Sequence, residues 1–313
     1  MAIHEPGTST DVADLLVKLR AFAQANGWTI HFAGARTSGA GQALQLSKAG
    51  FAGTFLTNPS AGSSGDPGPY IGTYAHDAYN AANGTENQAA RSSTTWSNAM
   101  VGAFQAHYFI TGSAGDPPYL YVVVETAPGV FKHFGLGGLV TAGVINTGAF
   151  CYALNWSYDP NDISNWNYGD HAVPFDGAES SSRNGPSTQV RADCDGIAPR
   201  WYDPYNTSGN ALVGGFRRDD QWATVPANVR FATSGITKSS VRTHSLILGQ
   251  RLNGVYSPLG YPPGIRFCRL DDVPPGHQTT VGGVIWKLFP LIRKNGSVGQ
   301  PNSDAYGYAY RIN

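Results

Sequence analysis

Charged side chains are scarce in this chain of 313 residues. They make up 13% of the sequence, and 21 Lys and Arg balance 21 Asp and Glu. An ordinary globular domain has about 25% charged residues. A chain without net charge does not offer the basic surface that nucleic acids require, so we expect no direct nucleic-acid readout. Weak electrostatic repulsion near neutral pH also favours assembly of the chain with copies of itself.

Cysteines and long apolar runs are scarce as well. The three cysteines, Cys151, Cys194 and Cys268, are far apart and form no Cys-x-x-Cys pair, which indicates buried thiols rather than a disulfide framework or a zinc site. No apolar run reaches the roughly 18 residues of a membrane span, and the first residues lack the basic and apolar regions of a secretion signal. We therefore expect no membrane insertion and no export signal.

Spacings that are typical of catalytic and metal sites are missing too. None of the eight histidines forms a recognised ligand set with another His, Cys, Asp or Glu, and no Gly-x-Ser-x-Gly pentapeptide occurs. The glycines at 135, 137 and 138 lack the spacing and the following helix of a phosphate-binding loop, and they predict a β-turn or bulge. We expect no catalytic, cofactor-binding or metal-binding residues, and no cofactor.

Glycine, proline and aromatic residues are plentiful instead. The chain has 39 Gly, 20 Pro, 16 Tyr, 14 Phe and 7 Trp, and 41% of its residues are hydrophobic. Many turns and few long helices follow from this composition. The apolar content is ample for a folded core.

One helix is predicted near the N-terminus. The side chains of residues 8–11 can cap free backbone amides, and Gly27 ends the helical pattern. Directly after it, Trp28, Ile30 and Phe32 alternate as in a strand whose apolar face lies against the helix, and residues 43–47 predict a second strand that pairs with it. Apolar residues recur at helical spacing at Val12, Leu15, Leu16, Leu19 and Phe22.

The clearest β pattern lies between residues 106 and 139. β-branched and aromatic runs at 107–110, 119–125 and 130–134 are separated by turn residues, which predicts a three-stranded meander with a middle strand covered on both faces. The predicted fold class is α+β and β-dominated, with an N-terminal helix packed on an antiparallel sheet and long loops rich in Gly, Pro and Ser.

Three parts of the chain differ in pattern. Residues 1–150 predict the helix and sheet core, 151–240 a loop-rich insertion or interface region, and 241–313 a C-terminal β segment that packs on the same core. Residues 50–68 predict an exposed loop because small and turn-forming residues dominate there. Long unperiodic segments such as 155–205 usually form binding surfaces or order against a partner.

Aromatic side chains in such segments are typical interface anchors. Tyr306, Tyr308 and Tyr310 alternate with small residues, so one strand face would carry all three against another sheet or another subunit. The predicted interface residues are Trp156, Trp166, Tyr168, Trp201, Tyr202, Tyr205, Tyr306, Tyr308 and Tyr310.

Six stretches of the chain, 60 of its 313 residues, share a pattern with one known group of proteins: 106–110, 119–138, 147–150, 14–29, 286–294 and 306–311. These stretches resemble segments of structural proteins of tailed bacteriophage virions. In those proteins an aromatic pair precedes a strand, a hairpin with the pattern Val-Val-Glu, Gly, Phe, His and Phe-Gly follows, and a Gly-Gly or Thr-Gly turn ends it. The chain departs from this pattern at Gly148 and Ala149, which replace a Gly-Gly pair, and 151–240 match no such segment.

The resemblance implies a non-enzymatic virion component of the tail, the neck or collar, or the baseplate. Such a protein is made and assembled in the host cytoplasm, and its partners are copies of itself in a ring or trimer and other tail or neck proteins. Two alternatives remain open. One is a tail-associated receptor- or glycan-binding module, and the other is a polysaccharide-degrading enzyme with Trp166 as a sugar platform and acids among Asp159, Asp162, Asp170 and Asp176.

Overall fold

The structure is a computed structural model that describes most of the N-terminal half of the chain and several C-terminal segments. The described residues are 3–59, 69–92, 94–97, 100, 103–112, 115–141, 148–153, 188–192, 199–202, 212–214, 243–245, 248–252, 255–270, 273–290 and 306–313.

Within these residues the chain is β-dominated, with antiparallel sheets and a single α-helix, so the predicted fold class is confirmed. The helix, α1 (Val12–Ala25), begins where Asp11 Oδ1 accepts hydrogen bonds of 2.8 Å from the backbone amides of Ala13 and Asp14. It ends before Gly27, which has a φ of 78°, a backbone conformation that costs little free energy only for glycine. All the apolar residues predicted for its buried face are buried.

A seven-stranded sheet, which we call the central sheet, organises the molecule. It contains the predicted meander, and its middle strand is covered on both faces as predicted, because every residue from Tyr119 to Val124 is 0% exposed. In spatial order its strands are β1 (Ile3–Ser9), β7 (Phe104–Thr111), β8 (Tyr119–Ala127), β9 (Val130–Gly138), β11 (Gly148–Ala153), β12 (Thr188–Ala192) and β13 (Arg200–Tyr202).

A five-stranded N-terminal sheet lies with α1 on one face of the central sheet. Apolar side chains of α1, of this sheet and of β7, β8, β9 and β11 form one continuous core cluster. A 3-10 turn, Ala81–Asn83, follows its fourth strand. Its strands in spatial order are β2 (Thr29–Ala35), β3 (Gln42–Lys48), β4 (Phe51–Asn58), β5 (Tyr70–His76) and β6 (Thr95–Ser97).

A five-stranded C-terminal sheet packs on the opposite face of the central sheet, where Phe289 contacts Phe131 and Tyr310 contacts Tyr121. The result is three β layers. The C-terminal sheet contains, in spatial order, β15 (Thr243–Ser245), β18 (Ile265–Arg269), β21 (Tyr306–Arg311), β20 (Val284–Pro290) and β19 (Gln278–Val281), and a further four-stranded sheet contains β10 (Val140–Thr141), β17 (Val255–Tyr261), β16 (Leu248–Leu252) and β14 (Leu212–Gly214).

The predicted loop at 50–68 is wrong in its first part. Residues 51–58 form β4, a central strand of the N-terminal sheet, and Phe55 is 0% exposed. Gly53 belongs in this strand because a Cβ there would lie 2.6 Å from a methyl group of Leu136 on β9. The small residues therefore let two sheets approach each other. Residues 60–68 lie outside the described part of the chain.

Two further local predictions are wrong. The glycines at 135, 137 and 138 lie within strand β9 rather than in a turn. Phe32 does not share a face with Ile30, because the register of β2 on β3 shifts between them. A bulge of this kind reverses the side of the sheet on which the following residues lie. Ile30 packs on the main core, whereas Phe32 packs against Ala43, Leu56 and Tyr74.

The proposed division of the chain into 1–150, 151–240 and 241–313 stays a prediction. The boundary after residue 150 falls inside β11, and β12 and β13 continue the central sheet.

Candidate functional site

The predicted interface residues have different positions. Trp201 is half-buried on β13, packs against the main core and donates a 2.8 Å hydrogen bond from Nε1 to the carbonyl of Ala90. Tyr202 ends β13 and Tyr306 begins β21. The other predicted residues of the 155–205 segment and the acids of the enzyme alternative lie outside the described residues: Trp156, Trp166, Tyr168, Tyr205, Asp159, Asp162, Asp170 and Asp176.

Tyr308 and Tyr310 are not available as an interface with another subunit. Both are 0% exposed and pack on the central sheet of the same chain, where the ring of each contacts His133. Of the two surroundings that the alternating pattern allowed, the structure shows another sheet. The physical reason is that the central sheet presents its own aromatic face, with Tyr121 and Tyr152, to this strand.

Buried hydrogen bonds join the C-terminal sheet to the central sheet. His133 Nε2 lies 2.8 Å from the carbonyl oxygen of Pro290, and its Nδ1 lies 2.9 Å from the Tyr310 hydroxyl. A carbonyl only accepts, so Nε2–H donates to Pro290 and Nδ1 accepts from Tyr310. The Tyr310 oxygen in turn lies 3.3 Å from the Tyr152 hydroxyl, which can donate to it. We call His133, Tyr152, Pro290 and Tyr310 the aromatic lock.

Burial keeps the histidine of this lock neutral. The pKa of His133 is lowered from 6.5 to about 4, mainly by loss of hydration, with the Pro290 carbonyl opposing this change and the charge of Lys132 adding to it. The neutral imidazole is committed at both nitrogens to structural bonds. It therefore holds two layers together rather than serving as a general base.

The strands of the central sheet bring the long connections to one end. β11 ends at Ala153, β12 begins at Thr188 and β13 ends at Tyr202, and the antiparallel register places these three positions at the same edge. We call this edge the loop end. The chain between 153 and 188 and the chain after 202 both depart from it.

The opposite end of the central sheet, where β9 ends and β11 begins, carries an open cleft of about 440 Å³. We call it the cleft end. Its walls come from the turn between β3 and β4, the end of β5, and the neighbouring ends of β8, β9, β11 and β12. Phe51, Pro117, Pro118 and Leu139 supply apolar surface.

An ion pair between Arg191 Nη1 and Asp77 Oδ1 crosses this cleft from the central sheet to the N-terminal sheet. The Asp77 side chain is 47% exposed, whereas that of Arg191 is 17% exposed. Among the described residues neither side chain makes a further hydrogen bond. Within the described part of the chain, the pair therefore has carboxylate lone pairs and guanidinium N–H groups that no other side chain or backbone group uses.

His76 also lines the cleft, but its ring nitrogens are occupied. Nδ1 lies 3.0 Å from the carbonyl oxygen of Ala78 and Nε2 lies 3.2 Å from the Thr54 hydroxyl. Burial lowers the pKa of His76 to about 4, so the ring is neutral at physiological pH. It supports the cleft wall and is not placed to transfer protons.

A buried serine–histidine contact joins two strands of the central sheet. Ser9 Oγ is 2.8 Å from His107 Nδ1, and both side chains are buried. Gly7 lies directly over the other ring nitrogen, where a Cβ would come within 2.5 Å. A substrate has no access to this pair, so we interpret it as a structural bond between β1 and β7.

The sequence did not indicate Asp77 and Arg191 as a pair. They are separated by more than a hundred positions, Asp77 directly after a strand of the N-terminal sheet and Arg191 on the central sheet, and neither belongs to a recognisable motif. No described residues form a group of three or more His, Cys, Asp or Glu side chains that could hold a metal ion. Within the same residues, no helix has the length and apolar character needed to cross a membrane.

No protein-family model matches this chain, and no curated protein matches it significantly.

Proposed function

We propose that the chain is a non-enzymatic structural subunit of a tailed bacteriophage virion, placed in the tail, the neck or collar, or the baseplate. It would assemble with copies of itself into a ring or trimer and contact other tail or neck proteins. The resemblance that motivates this proposal includes residues 106–110 and 119–138, which form most of the meander in the central sheet. Near-zero net charge at low charge density favours the self-association it requires.

The observation that carries the proposal is the common origin of the two aromatic segments. Trp156 follows Ala153 by three positions, and Tyr205 follows Tyr202 by three positions. Their strands, β11 and β13, flank β12, so at about 4.8 Å per strand spacing the two segments depart within roughly 10 Å of each other. A neighbouring subunit at the loop end could therefore contact both segments at once.

The three-layer build suits a subunit that must hold a fixed shape. The middle strands β8 and β9 of the central sheet are buried on both faces, β8 from Tyr119 to Val124 and β9 along its length, and the aromatic lock fixes the outer C-terminal layer to the sheet by directed hydrogen bonds. Subunit contacts at the loop end are therefore made by a densely packed part of the molecule that changes shape little. Such rigidity is what positions neighbouring copies at a constant angle in a closed ring.

The decisive experiment measures mass in solution. Light scattering over a concentration series should give a discrete multiple of the monomer mass for the wild-type chain. Replacing residues 161–167 by a Gly/Ser segment of equal length should lower that mass while circular dichroism and the melting temperature stay unchanged. The matched control is Thr280→Ser on the exposed strand β19, which should leave the mass as in wild type.

An unchanged oligomer in the 161–167 variant would contradict the proposed surface, and a wild-type monomer at all concentrations would contradict self-assembly in solution. Virion membership needs a separate test. Antibodies against the chain should label one end of purified phage particles, at the tail, neck or baseplate, and label on the capsid shell alone would reject the proposed location.

A further inference from the structure

The cleft end of the central sheet is remote from the proposed assembly surface and has features that a rigid scaffold does not need. Its volume of about 440 Å³ lies within the roughly 300–1,000 Å³ range of small-molecule sites. Such sites combine mostly apolar walls with a few polar groups that fix orientation. Here the apolar surface comes from Phe51, Pro117, Pro118 and Leu139, and the polar groups are Asp77 and Arg191.

The charges in the cleft select against ionic ligands. Asp77 and Arg191 form an ion pair, so the cleft has no excess charge from these two residues. An ion gains no net attraction from the pair, because its attraction to one partner is offset by repulsion from the other. It also loses hydration when it enters the cleft, a cost that a neutral ligand does not have.

The free hydrogen-bonding groups define the ligand further. The exposed part of Asp77 can accept hydrogen bonds, and the remaining N–H groups of Arg191 can donate them. A pair of adjacent hydroxyl groups can donate to the first and accept from the second at the same time. Pro117 and Pro118, both partly exposed, offer flat C–H surface beside the ion pair.

From this combination we infer that the cleft binds a neutral sugar unit, with vicinal hydroxyl groups on Asp77 and Arg191 and the apolar ring face against the proline wall. The inference is independent of the proposed assembly role, because the cleft lies at the opposite end of the central sheet. A purely structural ion pair would only hold the end of β5 against β12. The experiment must distinguish this structural role from sugar binding.

Saturation-transfer NMR on the full chain provides the test. The probes are glucose, galactose, N-acetylglucosamine and their β-linked disaccharides, with glucuronic acid and glucosamine as charged analogues. At least one neutral sugar should bind with a Kd below about 10 mM, and more tightly than both charged analogues. If a disaccharide binds more tightly than its monosaccharide, the ligand is a glycan chain. If the two bind equally, the ligand is the free sugar. Both outcomes support the inference.

Two kinds of variant keep the test sharp. Asp77→Asn and Arg191→Gln should each weaken binding about tenfold, because each removes one charged hydrogen-bond partner. These two changes also break the ion pair between β5 and β12. Thr141→Trp is therefore the second test, because it fills the cleft and leaves the ion pair intact. This variant should not bind the sugar. Thr280→Trp on exposed strand β19 is the matched control and should bind as wild type does.

Three results would overturn the inference. These are no neutral sugar binding below about 10 mM, a charged analogue that binds as well as the neutral sugars, or binding that survives in a folded Thr141→Trp variant. Light scattering on the same samples keeps this outcome separate from the assembly proposal, since loss of sugar binding should not change the oligomer mass.

Discussion

Acidification should loosen the contact between the C-terminal and central sheets through His133. In the folded chain, burial lowers the pKa of His133 to about 4, whereas the unfolded chain has the ordinary value of 6.5. The unfolded state therefore binds a proton first as the pH falls. Stability is fully present above pH 6.5, is lost progressively between 6.5 and about 4, and changes no further through this group below that range.

The magnitude follows from the two pKa values. Between about pH 7 and about pH 5, the difference in proton binding amounts to about 2 kcal/mol of unfolding free energy, since one pKa unit corresponds to about 1.4 kcal/mol. Three other histidines, the half-buried His4 and the buried His76 and His107, have pKa values lowered to about 4, mainly by burial, and add to the total acid sensitivity. The contribution of His133 must therefore be isolated by comparison with a variant.

His133→Gln isolates it, because glutamine can donate to Pro290 and accept from Tyr310 but does not titrate. Urea unfolding at both pH values should show that the variant loses about 2 kcal/mol less than the wild type on acidification, whatever its stability at neutral pH. His277→Gln, at an exposed position, should lose as much as the wild type. Equal acid losses in His133→Gln and the wild type would refute the assignment of this sensitivity to the aromatic lock.

Three substitutions test other parts of the fold by urea unfolding. Asp11→Ala removes the cap of α1 and should cost about 1 kcal/mol. Glu86→Gln weakens the largely buried ion pair with Arg36, in which Nε and Oε1 are 2.9 Å apart, and should cost about 2 kcal/mol. Leu136→Ala opens a cavity beside Gly53 and should cost about 3 kcal/mol. A loss below about 0.5 kcal/mol in any of them would contradict the contact described for it.

The sequence predicted those elements in which apolar residues repeat regularly at the spacing of a helix or a strand. The helix has five apolar residues at helical spacing, and the meander has runs of β-branched and aromatic residues, so each signal is local and redundant. Both elements appear where predicted, and β8 is buried on both faces.

The failures occur where a residue is chosen for a contact distant in sequence. Gly53 and Gly135 look like turn residues locally, but the first leaves room for Leu136 and the second for Tyr121. The bulge that separates Ile30 from Phe32 leaves no mark in the alternation of apolar residues. Local pattern reasoning cannot detect such requirements, because the neighbour that imposes them is unknown until the layers are assembled.

The cleft was beyond prediction for the same reason. Asp77 follows a strand and Arg191 lies within another, and nothing in either stretch indicates the partner. Tyr308 and Tyr310 show the intermediate case. Their alternation predicted a shared face correctly, but whether that face met another sheet or another subunit depended on the aromatic face of the central sheet.

The aromatic lock also bears on how the chain is synthesised. His133 and Tyr310 are 177 positions apart, so the face of the central sheet that carries Tyr121, Phe131 and His133 is made long before the strand that covers it. At typical translation rates of about 5–20 residues per second, roughly ten seconds or more pass before β21 is synthesised. Until then the aromatic side chains of this face are not covered by the C-terminal sheet. During that interval the nascent chain displays the kind of surface that chaperones recognise and that promotes aggregation. Folding yield, more than final stability, should therefore be the property most sensitive to damage in β20 and β21.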